Sequence, residues 1–123
     1  MLTLAPGTKV FLAAELVDLR RGHDGLCAVV RGVLELDPFT GHVFVFVGKR
    51  CDRVKCLFWD RGGFVIYYKR LARGRFHLPR VADGGDRVVL DGTELAMLLG
   101  GFDLRRVRRD GAWEPHPDRP RPD

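Results

Sequence analysis

The chain has 123 residues, 46% hydrophobic and 30% charged, with 21 Lys and Arg against 16 Asp and Glu. This composition fits one soluble globular domain able to bury a core without staples, and no apolar run approaches the roughly 18–20 residues of a membrane span. The opening MLTLAPGTKVFLAAELVDLRR lacks the cationic start of a signal peptide, and its apolar stretch is broken by Pro6 and Gly7, so a cytoplasmic location is expected.

Residues 9–13 read as a short strand following the Pro6-Gly7 turn. Leu26, Val29, Val30, Val33 and Leu34 then recur at helical spacing, which predicts an amphipathic helix with Asp24 near its positive end. Gly22 and Gly25 weaken its beginning, and Asp37-Pro38 is expected to end it, because the residue before a proline is pushed out of the α region. Three strands follow, at 42–47, 54–59 and 64–71, joined by short glycine-containing connections. The first is apolar on both faces and reads as a central, covered strand. A further strand at 87–90 leads to a second helix over 94–99, capped by Asp91 or Thr93 and stopped by Gly100 and Gly101. The expected fold class is α+β: a small antiparallel sheet with a three-strand meander at its centre and additional edge strands, packed by two helices. One domain is expected over residues 1–113, with the four-proline segment 114–123 as a disordered tail.

Charge is unevenly distributed. Between Gly48 and Arg80 there are ten Lys or Arg and only two acids, Asp52 and Asp60. In a meander the loop after the first strand lies at the same sheet end as the exit of the third. Lys49, Arg50, Arg53 and Lys55 should therefore meet Lys69, Arg70, Arg73 and Arg75, with Arg20 and Arg21 within reach. A concentrated cationic surface of this kind suits a polyanion, and contacts to phosphates are the expected mode. The plain alternative is the solvated face of an arginine-rich protein. Trp59, Tyr67, Tyr68 and Phe76 are candidate base-stacking residues, though core or sheet packing is the more common role of such side chains. A second functional expectation is a protein adaptor, docking through the sheet face that bears Leu57 and Trp59 or through the Leu-rich second helix.

Catalytic signals are weak. His23, His42, His77 and His116 are scattered, and no phosphate-cradling glycine loop is present. Cys27, Cys51 and Cys56 are odd in number and form no CxxC pair, which argues against a disulfide framework and a zinc site. Cys27 and Cys56 read as small core hydrophobes. Asp18, Asp24, Asp37 and Asp60 would have to converge in three dimensions to hold a nuclease metal; caps and turns are the simpler reading. No catalytic residue, cofactor or metal is expected.

Three blocks carry a family resemblance: VDLRRGHDGLCAVV at 17–30, DPFTGHVFVFVGKRCDRVKCLFWDRGGFVIYYKRLARGRFHLP at 37–79, and ELAMLLGGFDLRR at 94–106. Together they resemble the TnpB-type accessory proteins of the insertion sequence 66 family of bacterial transposable elements. Leu19, Arg21 and Leu78 depart from the usual Met, Lys and Trp. The resemblance implies a non-catalytic protein of the bacterial cytoplasm, nucleoid-associated if it binds DNA. It further implies an accessory role in transposition beside a DDE-type transposase and a second accessory protein. Transposon-end DNA is then the expected anionic partner.

Overall fold

A computed structural model describes residues 4–104. Five strands, β1 (Val10–Ala13), β2 (Val43–Val47), β3 (Arg53–Asp60), β4 (Gly63–Arg70) and β5 (Arg87–Leu90), form one sheet in the order β4-β3-β2-β1-β5. Helix α1 (His23–Gly32) lies between β1 and β2 in the chain, and α2 (Gly92–Leu99) follows β5. This is the expected α+β class. The central position of β2 is borne out too: all five of its residues are buried.

Two details of the sheet differ from expectation. β1 runs parallel to β2, Val10 opposite Val43, so the sheet is mixed. The long connection through α1 allows this, since parallel neighbours need a crossover, usually helical. The β2-β3-β4 meander is present, but it runs out to the sheet edge, with β4 outermost. The expected disordered tail, together with Arg105, Arg106, Arg108 and Arg109, lies outside the described residues.

Alternation along the strands divides the core between the two faces. Val10, Leu12, Val43, Val45, Val47, Val54 and Cys56 face α2 and its Leu95, Leu98 and Leu99. Ala13, Phe44, Phe46 and Leu57 face α1 and its Leu26, Val29 and Val30. Each large side chain so removed from water contributes roughly 1.5–3 kcal/mol before the entropy of ordering it is subtracted. Burial also holds the Cys56 thiol, pushing its pKa up to about 12, and raises that of Cys27. Both behave as core hydrophobes.

The end of α1 is a correction. Asp37-Pro38 does not terminate it; the helix stops at Gly32. Leu34 N–H reaches back to the Val29 carbonyl (3.1 Å) and Leu36 N–H to that of Val30 (3.0 Å), with Glu35 in the left-handed region at φ 53°. This closure folds Leu34 into the core and leaves Val33 outside, 53% exposed. A proline restricts only its immediate predecessor, and the chain has to turn toward β2 before reaching it. Asp37 instead opens a 3-10 turn, Pro38–Thr40, accepting a bond from Phe39 N–H at 2.9 Å.

Helix α2 ends as expected at Leu99 but starts two residues earlier than expected, at Gly92, with Asp91 rather than Thr93 as its cap. Asp91 accepts from Glu94 N–H while Glu94 accepts from Asp91 N–H, a capping box. Gly101 N–H to the Leu98 carbonyl and Phe102 N–H to that of Met97, both 3.0 Å, close the other end in a Schellman arrangement. The β3–β4 hairpin turns through Arg61 (φ 43°) and Gly62 (φ 87°), the positive-φ pair of a two-residue type I′ connection.

Candidate functional site

Strand directions bring three chain segments to one end of the sheet. There β2 exits, β3 enters and β4 exits. Val17 N–H donates to the Val47 carbonyl at 2.9 Å and pairs with Gly48, so residues 17–21 lie along the β2 exit. A Cβ on Gly48 would stand 3.1 Å from Leu19 Cδ1, so the glycine lets this segment approach closely. The turn 48–53 is tied by Gly48 N–H to the Arg53 carbonyl and Cys51 N–H to that of Gly48. The segment after β4 is strapped onto that turn by Leu71 N–H to the Asp52 carbonyl (2.8 Å) and Phe76 N–H to that of Cys51 (2.6 Å). Phe76, 3% exposed, anchors the strap in the core.

These bonds join the two basic clusters. Arg53 and Arg70 are direct neighbours across β3 and β4. Lys49, Arg50, Arg70, Arg73 and Arg75 are exposed, and their side chains make no hydrogen bond or ion pair among the described residues. Arg21 is exposed as well, its backbone carbonyl accepting from Lys55.

The other expected phosphate ligands have partners. Arg20 grips Asp18 through Nη2 at 2.7 Å and through Nε. Lys55 Nζ donates to the Arg21 carbonyl at 2.9 Å and sits 5.3 Å from the Tyr68 ring centroid. Arg53 Nε lies 3.7 Å from Asp52 Oδ1; both atoms are shielded from solvent, and neither has a hydrogen bond. Lys69 Nζ donates to the Leu99 carbonyl at 2.7 Å, on the opposite sheet face from Lys55. A cation there satisfies an orphan carbonyl at the negative end of α2. Replacing Lys69 by Met should therefore lower stability by about 1 kcal/mol while leaving any polyanion binding nearly intact. Urea unfolding and a binding titration on the same variant check the two halves.

Asp18 is held well below the usual carboxylate range, first by the Arg20 side-chain hydrogen bond, then by Arg20 N–H, with smaller electrostatic contributions from Arg20 and Lys49. A carboxylate depressed in the folded state contributes above its ordinary pKa, and the contribution is lost as pH falls through the lowered value. This pair is solvent-exposed, so its effect on stability is small. Following the Asp18 carboxyl by NMR should give a midpoint below that of a free aspartate, and Arg20→Ala should raise it.

The docking expectation needs correction at Leu57. That side chain is fully buried beneath α1 and presents nothing to a partner. A strand residue reads as surface only while the layer covering its face is unknown. Trp59, further along the same face, is half-buried in an aromatic cluster with Phe39 and Phe64, each pair of ring centroids 5.0 Å apart. Arg31 lies 5.4 Å from the Phe39 ring, and Phe39 is 47% exposed. Among the stacking candidates, Phe76 is core and Tyr67 packs against the α2-side core, whereas Tyr68 is 51% exposed at the basic end.

Asp18 is spent on Arg20, Asp24 is in the first turn of α1, Asp37 caps the 3-10 turn, and Asp60 closes the β3–β4 hairpin. Among the described residues, no three His, Cys, Asp or Glu are placed to hold a metal ion. No helix there is long and apolar enough to cross a membrane.

Fold and site together define a small mixed-sheet α+β protein with a cationic sheet end. The chain belongs to the family described as IS66 Orf2 like protein, which it matches over residues 8–109. That family makes it an accessory protein associated with an insertion sequence, of a kind not known as an enzyme. Two relatives come from Sinorhizobium fredii (strain NBRC 101917 / NGR234). "Uncharacterized protein y4jC" is 39% identical over 109 residues, covering 89% of this chain and 92% of the relative. "Uncharacterized protein y4hO" is 35% identical over 115 residues, covering 94% and 96%. No solved structure matches.

Proposed function

We propose that this protein assists transposition by binding DNA, chiefly through phosphates, at the basic end of its sheet. The observation that carries this reading is the strap from Leu71 and Phe76 to the 48–53 turn, which sets five exposed, unpaired cations at one end. Lys49, Arg50, Arg70, Arg73 and Arg75 are the primary phosphate ligands. Arg20, Arg21 and Arg53 flank them. Lys55 and Lys69 hold the surface together and contact DNA little. With about four to six phosphates engaged, log K against log salt falls with a slope of roughly −4 to −5. Titration of transposon-end DNA at several salt concentrations tests this; no binding at low salt, or a flat salt response, refutes it.

A second reading has its own support at the other end of β3. The cluster of Phe39, 47% exposed, with the partly buried Trp59 and Phe64 is suited to docking a protein, the transposase or the second accessory protein being the expected partner. Capture of the transposase from nuclease-treated lysate, lost on Trp59→Ala, would favour this adaptor role.

A further inference from the structure

The basic end is more than a flat charged surface. A groove of about 540 Å³ runs between the 17–20 segment and the strands, lined by Asp18, Arg20, Lys49, Arg50, Arg53 and Tyr68 among others. Its volume is within the range of small-molecule sites. Four cations line it against two carboxylates, and each carboxylate has an adjacent arginine. The Arg53 side chain makes no hydrogen bond among the described residues; its Nε is shielded beside Asp52, while the side chain as a whole is 37% exposed at the groove.

Tyr68 gives this groove a second chemistry. Of the four aromatic residues singled out in the sequence, it alone is more than half exposed at the cationic end. Lys55, tethered to the Arg21 carbonyl, stands 5.3 Å from its ring centroid and steadies the ring. Its hydroxyl has no hydrogen-bond partner among the described residues. An exposed aromatic ring beside cations in a recess is the arrangement that receives a base together with its phosphate. Bases within a duplex are stacked on one another and cannot reach such a ring. An unpaired nucleotide can.

We infer that the groove binds an unpaired nucleotide of DNA, its base on Tyr68 and its phosphate among Arg53, Lys49 and Arg50. This inference rests on the reading of the basic end as a DNA surface, and it adds a preference for single-stranded or frayed DNA over intact duplex. The test compares fluorescence anisotropy of a single-stranded oligonucleotide with that of a blunt duplex of the same sequence, for the native protein, Tyr68→Ala and Tyr68→Phe. Expected are tighter binding of the single strand, a roughly 5- to 150-fold loss of that affinity in Tyr68→Ala, near-native affinity in Tyr68→Phe, and little change for duplex. A 2-aminopurine in the single strand should be quenched by the native protein and by Tyr68→Phe, and not by Tyr68→Ala. Thermal melting confirms that each variant is folded. Equal affinity for both DNA forms, or a Tyr68→Ala variant with unchanged single-strand binding, overturns the nucleotide site while leaving phosphate binding intact. Failure of the native protein to bind either form removes the DNA reading itself.

Discussion

Reversing charge at Arg50 and Arg70 together should weaken DNA binding at least about 100-fold near physiological salt. Sequence-independent binding through several phosphates has a Kd of roughly 10⁻⁴–10⁻⁶ M, or about 1–1.5 kcal/mol for each of five contacts. Removing two contacts costs about 2–3 kcal/mol, and the introduced carboxylates add repulsion. The magnitude of the salt slope should fall by about two. The two residues come from different clusters, Arg50 from the 48–53 turn and Arg70 from the end of β4, so the double variant tests whether they act as one surface. Folding should survive. Both side chains are exposed, and a glutamate at position 70 would stand opposite Arg53. Loss should be similar for all DNA sequences; a loss confined to one sequence would mean that bases are being read in the grooves. An unchanged affinity in the folded double variant would rule out the basic end as the DNA surface.

Leu57→Ala should destabilise the protein by about 2–5 kcal/mol. Leu57 is completely buried, between β2 and β4 and beneath α1, opposite Phe44 and Ile66. Truncation there removes apolar contact and leaves a cavity that two neighbouring strands and a helix cannot fully close. Against a total stability of about 5–15 kcal/mol this is a large fraction, and the urea midpoint should drop by roughly 1–3 M. A variant with an unchanged midpoint that nonetheless lost partner capture would return Leu57 to the surface role its alternation with Trp59 had suggested. Trp59→Ala should behave in the opposite way, with a smaller stability loss, because its ring is only half-buried.

Local patterns account for most elements. The five-residue apolar run marks β2 as central because only a strand covered on both faces can bury every residue. Asp91 with Glu94 marks the start of α2 because both groups of the capping box lie within four residues. The parallel pairing of β1 with β2 was not legible in the same way. It depends on a crossover spanning α1, and no local spacing reports where a strand returns.

The same division runs through the candidate site. Short hairpins reverse a strand whatever surrounds it, so the meeting of the two basic clusters at one sheet end follows from loop lengths and residue order alone. Which of those cations are left unpaired does not. Lys69 is taken up by the Leu99 carbonyl thirty residues away, Lys55 by that of Arg21, and only the folded chain brings those groups within 3 Å. Exposure is likewise a property of what packs on top. It is the covering layer of α1 that buries Leu57, and the uncovered end of β4 that leaves Tyr68 open. Sequence by itself determined the class of fold and the place where positive charge gathers, because these rest on short-range periodicity, loop lengths and residue order; the family was legible as well, through the resemblance of its three motif blocks. Tertiary structure decided which side chains of that place face a ligand, because burial and hydrogen bonding are settled between segments far apart in the chain.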